Sequence, residues 1–184
     1  MKRIFIAIKI TGNALLRKMI SDLKGELRES SIKWTDPDNL HLTLSFLGDT
    51  EENIIPAISS MLDEKCNGSG NFDFFLSGLG VFKHIKDPKV IWAGIDKPEK
   101  LNTLQKKIMR GLSETGIETE DRQFSPHLTL GRIRHLSDRE KLKVLLLKYH
   151  TSEIQDVKVD EVILYESILH REGAEYKGIS IHKL

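Results

Sequence analysis

The chain has 184 residues, with 28 Lys and Arg against 27 Asp and Glu, a net charge of +1 and 39% hydrophobic residues. That length suffices to bury a real core, and the composition excludes a disordered or fibrous chain. The near-neutral balance argues against coating long nucleic-acid tracts, where affinity comes from neutralising many phosphates, but not against gripping a single phosphate.

Cys66 is the one cysteine, so no internal disulfide and no cysteine-based zinc site is expected. The apolar run Ile4 to Ile8 is too short for a membrane span or a signal-peptide core. A reduced, cytoplasmic, monomeric protein is the expectation, with residues 1–184 forming one compact domain or two small lobes that share a core. Residues 3–10 are short, β-branched and apolar, which predicts a buried strand. Residues 13–28 set Leu15, Leu16, Met19, Ile20, Leu23 and Leu27 on one helical face. A second helix is expected after Asp49, which has capping-box spacing to Glu52, with the stripe Ile54, Ile55, Ile58, Met61 and Leu62. Residues 66–71 are a tight loop after it. A third helix starts near Asp96 and Pro98, carries Leu101, Leu104, Ile108 and Leu112, and stops by Gly116. The fourth begins at Ser137, with Glu140 three residues on, and buries Leu142, Leu145, Leu146 and Tyr149. Further strands are expected at 31–35, 40–47, 72–82, 89–95, 126–134, 154–168 and 174–183. Several are joined by short turns, so the pattern predicts an α+β fold with mainly antiparallel sheets.

An internal repeat is the most informative feature. His41-Leu42-Thr43-Leu44 recurs as His127-Leu128-Thr129-Leu130. With seven histidines, a chance match of the next three residues has a probability of about 0.5% at ordinary composition. Each copy lies in a strand-like segment, within a half that also supplies two helices. A duplicated β/α unit with a site between its halves follows.

Residues two apart in a strand share a face. His41 projects with Thr43 and His127 with Thr129, while the four leucines point into the buried side. If the two strands face one cleft, two imidazoles and two hydroxyls converge. One imidazole can then accept a proton while the other donates one near neutral pH, and the hydroxyls can donate to phosphate oxygens as charge builds there. A lone H-x-T on a strand is more often a half-exposed polar face; two copies in matching contexts point to function. Zinc takes three or four His, Cys or carboxylate ligands, and threonine is a poor one, so no metal is expected here.

Around these residues the chain resembles the two-histidine (2H) phosphoesterase superfamily, with its paired H-x-T/S-x motifs. Within it, the chain is similar to the RNA 2′,3′-cyclic phosphodiesterase family, historically called 2′-5′ RNA ligases. Trp34, Pro37 and Asn39-Leu40 precede the first motif and Ser45-Phe46-Leu47-Gly48 follow it, as in the family's block. Lys89-Val90-Ile91-Trp92-Ala93-Gly94-Ile95 resembles its V-x-W-x-G strand, and Phe124-Ser125-Pro126 leads into the second motif. Val162 to Ser167 and Tyr176 resemble a further block, so the likeness runs from Ile4 to Ile181.

The resemblance implies a bilobal α+β fold with two sheets flanking a central cleft and helices outside. It implies cofactor-free and metal-free hydrolysis of an RNA 2′,3′-cyclic phosphate end, opening at the 3′ oxygen to leave a 2′-phosphate. It also implies that some members join tRNA halves weakly through a 2′-5′ bond. By position, His41 would protonate the departing 3′ oxygen and His127 would activate water. Thr43, Thr129 and Arg132 would hold the phosphate. Arg132 has the strand parity of Leu128 and Leu130, which turns it away from the histidines; either Gly131 makes a bulge or the strand ends there.

The motifs address only the phosphate. Small cyclic nucleotides, 2′-5′ oligonucleotides, or non-catalytic binding of RNA ends therefore stand as alternatives. Arg134 and the loop of Lys83, His84, Lys86 and Lys89 could add a basic surface for RNA, and a solvated turn is the plainer reading of that loop. Trp34, Phe46 and Trp92 could stack a base or simply wall the cleft. His135, His150, His170 and His182 have no paired context and read as surface or packing residues.

Overall fold

The first apolar run becomes β1 (Lys2–Lys9) in the computed structural model, which describes residues 1–117, 123–170 and 173–184. It is followed by α1 (Ala14–Glu26), β2 (Ser31–Trp34), β3 (His41–Thr50), α2 (Ile55–Cys66), β4 (Phe72–Phe82) and β5 (Val90–Asp96). Then come α3 (Glu99–Glu114), β6 (Leu128–His135), α4 (Arg139–Tyr149), β7 (Glu153–Val159), β8 (Glu161–Leu169) and β9 (Ala174–Lys183). A four-stranded sheet has the order β3-β1-β8-β9 and a five-stranded sheet the order β2-β6-β5-β4-β7, with every pairing antiparallel. This is the expected α+β architecture, one sheet for each copy of the motif.

The halves are interwoven. The early strand β2 pairs with β6 in the five-stranded sheet, and α1 packs on that sheet through β7. Asn13 caps α1 by accepting from the Leu16 amide at 2.8 Å, and its Nδ2 donates to the Ile154 carbonyl in β7 at 3.1 Å. In exchange, α3 packs against α2 and β3, over the four-stranded sheet. The α2–α3 contact is tight at Gly111, where an added Cβ would stand 2.4 Å from the Met61 sulfur. Helices thus cover the outer faces while the other faces of the two sheets are left to form a cleft.

Leu42, Leu44, Leu128 and Leu130 are all essentially buried, while His41, Thr43, His127 and Thr129 are half-buried. Full burial of one leucine stabilises by roughly 1.5–3 kcal/mol. A one-residue slip of either strand would expose its leucines and bury its histidine, so the core fixes the register that presents the polar residues.

Three expectations need correction. The segment 154–168 is two strands: β7 pairs with β4, and after Asp160 the chain crosses to the other sheet, where β8 pairs with β1 and β9. Asp49 lies in β3 and caps nothing; α2 starts beyond a turn, with no side-chain cap and Pro56 in its first turn, where a missing amide costs least. Asp138, not Ser137, caps α4 by accepting from the Lys141 amide, and Ser137 instead donates to the Glu29 carbonyl.

Candidate active site

His41 opens β3 and His127 directly precedes β6. These two strands pack against each other although they belong to different sheets. Each imidazole is held in the same way. Nδ1 of His41 lies 2.7 Å from the Asn39 carbonyl, and Nδ1 of His127 lies 2.7 Å from the Ser125 carbonyl. A carbonyl only accepts, so Nδ1 carries the proton in both rings and Nε2 of the neutral ring is the free base.

Aromatic rings hold the imidazoles from the side. The Phe5 and Tyr176 ring centroids are each 5.0 Å from that of His41, and Phe82 stands edge-on to His127 at 4.5 Å. Burial pushes both histidines below their ordinary value of 6.5; their carbonyl partners oppose this, and the Arg132 guanidinium adds to it. His41 is lowered further by the charge of His127. The two rings and Arg132 therefore share one electrostatic field, and the neutral imidazole is favoured in each.

The parity problem at Arg132 has a structural answer. In the β5–β6 pairing Trp92 faces Thr129 and Ile91 faces Gly131, so Leu130 is the extra residue of a bulge. Arg132, opposite Val90, returns to the face of Thr129 and is exposed. The first motif carries the same device: Ala7 faces Thr43 and Ile6 faces Ser45, so Leu44 is the extra residue. The fourth residue of each motif is thus bulged. Phe46, 53% exposed, stands in the first half where Arg132 stands in the second.

The structure therefore brings His41, Thr43, His127, Thr129 and Arg132 to facing strands, the threonines half-buried and Arg132 exposed. Thr35 braces the second motif, its amide donating to the Leu130 carbonyl and its hydroxyl to the Thr129 carbonyl at 3.0 Å. Phe5, Phe82 and Thr35 had no signal beyond alternation within apolar strands; Tyr176 stood out only within a block resembling the family.

Trp92 lies flat across Gly80, where an added Cβ would stand 2.2 Å from the indole, and its ring is 5.5 Å from Phe82. Its buried Nε1 has no hydrogen-bond partner among the described residues. Trp92, opposite Thr129, is on the face of the motif, whereas Trp34 packs over Gly131 on the other, core-facing side of the sheet. In the Lys83–Lys89 loop Lys83 and Lys89 share the one carboxylate of Asp87, while Lys86 is exposed with no carboxylate partner among the described residues. Among the described residues no group of three His, Cys, Asp or Glu side chains is arranged around a metal position. No helix among them is long and apolar enough to cross a membrane.

Residues 16–170 match the family model described as the 2'-5' RNA ligase superfamily. A protein of Methanothermobacter thermautotrophicus named RNA 2',3'-cyclic phosphodiesterase is 30% identical over 99% of this chain and 98% of its own. One of the same name from Aquifex aeolicus is 38% identical over 78% of this chain and 77% of its own. In fold, the chain is similar to the crystal structure of TT0787 of Thermus thermophilus, with a TM-score of 0.80 at 24% identity, covering 99% of this chain and 97% of that one. E. coli LigT complexed with 3'-AMP gives a TM-score of 0.72 at 23% identity, covering 100% and 97%. On the paired motifs, the two-sheet fold and these likenesses, the chain belongs to the 2'-5' RNA ligase superfamily.

Proposed function

We propose that this chain is an RNA 2′,3′-cyclic phosphodiesterase, opening a terminal cyclic phosphate at the 3′ oxygen to leave a 2′-phosphate, with no metal ion. The observation that carries this reading is the matched tethering of two imidazoles, each with Nδ1 committed to a carbonyl and Nε2 left for proton transfer. In hydrolysis, Nε2 of neutral His127 takes a proton from water as its oxygen attacks phosphorus. The bond from phosphorus to the 3′ oxygen breaks, and protonated His41 delivers its Nε2 proton to that oxygen. Arg132, Thr43 and Thr129 donate to the non-bridging oxygens as their charge grows. The same groups with exchanged proton states support weak 2′-5′ joining, by microscopic reversibility. Residues 1–184 act in this reading as one two-lobed unit.

The test is turnover of an RNA oligonucleotide ending in a 2′,3′-cyclic phosphate, in excess chelator, with the product phosphate located by NMR. A 2′-phosphate formed at an undiminished rate is expected. A 3′-phosphate product, or activity abolished by the chelator and restored by a metal, contradicts the proposal.

A further inference from the structure

The proposed chemistry consumes one phosphate, for which Arg132 suffices, yet the same face carries more positive charge than that. Lys33, on the sheet-edge strand β2, is directly opposite Arg132 in the β2–β6 pairing. Side chains so placed have Cβ atoms about 4.5–5.5 Å apart, and like charges there repel. Lys33 is exposed and reaches toward the other sheet: its Nζ lies 4.0 Å from where a Cβ on Gly173, before β9, would stand. Farther along, the β2–β6 register shifts at Arg134, leaving Arg134 and His135 exposed. Among the described residues no carboxylate pairs with Lys33, Arg132 or Arg134, whereas the neighbouring Lys83 and Lys89 share Asp87. On the opposite side of the cleft, the counterpart of Arg132 is the uncharged Phe46. Positive charge thus continues from Arg132 along the β2–β6 edge, and an anion beside Arg132 would relieve the repulsion.

We propose that Lys33, with Arg134 behind it, holds the phosphodiester on the 5′ side of the terminal nucleotide, so that the enzyme selects an RNA strand over a free cyclic nucleotide. This rests on the phosphodiesterase reading and adds to it a second phosphate subsite on named residues. A 2′,3′-cyclic end has chain only on its 5′ side, and a cation directly opposite Arg132 is placed for the next phosphodiester along that chain.

The test compares kcat/KM on a short RNA ending in a 2′,3′-cyclic phosphate with kcat/KM on the matching 2′,3′-cyclic mononucleotide. Lys33→Gln is the informative variant, since a glutamate there would pair with Arg132 and disturb the catalytic phosphate site. On RNA, Lys33→Gln should lose about fivefold or more through KM, with a shallower salt dependence, and Lys33→Gln/Arg134→Gln should lose more. The mononucleotide should change less than about twofold and Lys33→Arg should restore RNA turnover, since phosphate attraction needs only a cation. Equal loss on both substrates, or none on RNA, overturns the proposal. If wild-type protein turns over neither substrate, the phosphodiesterase reading fails by itself. Anisotropy with a 3′-phosphate-ended RNA then decides the track: weaker binding by Lys33→Gln supports it, and unchanged binding overturns it.

Discussion

Both imidazoles are pulled in opposite directions: burial and the Arg132 charge favour the neutral ring, while the carbonyl on Nδ1 favours the protonated one. The net shift is downward, so the limbs of a kcat/KM profile, which report the free enzyme, should lie below 6.5 and enclose an acidic optimum. Arg132→Gln removes a cation near both rings, so both limbs should move upward while kcat/KM falls by about 10²-fold through lost phosphate stabilisation. A pH profile that stays in place contradicts the shared field. A second residue-scale prediction concerns Gly80. A methyl there collides with Trp92 and must displace it, and with it the Phe82 ring that stands against His127. Gly80→Ala should lower activity about tenfold or more, a 1 Å misplacement being enough for such losses. It should also change the tryptophan fluorescence; a variant with wild-type turnover would show that Trp92 does not position the site.

Among the elements, α1 and α4 are held together by Asp22, which accepts from the Tyr149 hydroxyl at 2.6 Å and pairs with Lys18 and Lys148. The Tyr149 bond first, then Lys18, lowers its carboxyl to about 2 from 3.8. A depressed carboxylate stabilises the fold above its unfolded value and loses that contribution as pH falls through the folded one. Acid unfolding of Asp22→Asn, followed by circular dichroism, should therefore show less pH dependence between about 4 and about 2 than wild type, with a lower Tm at neutral pH. The buried His182 makes the corresponding tie in the other sheet, from β9 to Asp63 of α2 at 2.6 Å, with Ser180 on its second nitrogen at 2.8 Å. The helices were legible because each carries an apolar stripe at helical spacing, and Met19, Leu62, Ile108 and Leu142 are all buried as that spacing requires. The break at Asp160 was not legible. β7 and β8 read as one alternating run without Gly or Pro, and only the long-range partners β4 and β1 separate them. The capping-box spacing at Asp49 misled for a related reason, since strand pairing with β1 extends through Thr50 and overrides the local signal.

Across the whole molecule, the site arises from two copies of one strand device set in different sheets and closed over a shared apolar core. The four motif residues were legible from alternation alone, because the pleat and the buried leucines fix their faces. Arg132 was legible only through Gly131 as a bulge signal, and its counterpart Phe46 only once both registers were known. The placement of Lys33 beside Arg132 had no sequence signal, since it comes from β2 pairing with the distant β6. A net charge of +1 is compatible with all of this, since one terminal phosphate needs only a few cations placed locally. The central claim is that the two histidines act as one proton-transfer unit, and the most direct measurement is kcat on a cyclic-phosphate RNA for His41→Ala, His127→Ala and the double variant. Each single variant should lose about 10²–10⁴-fold, and the double variant should lose little more than the worse single one, as members of a unit do. Near-wild-type turnover by either single variant, or losses that simply multiply, would contradict the account.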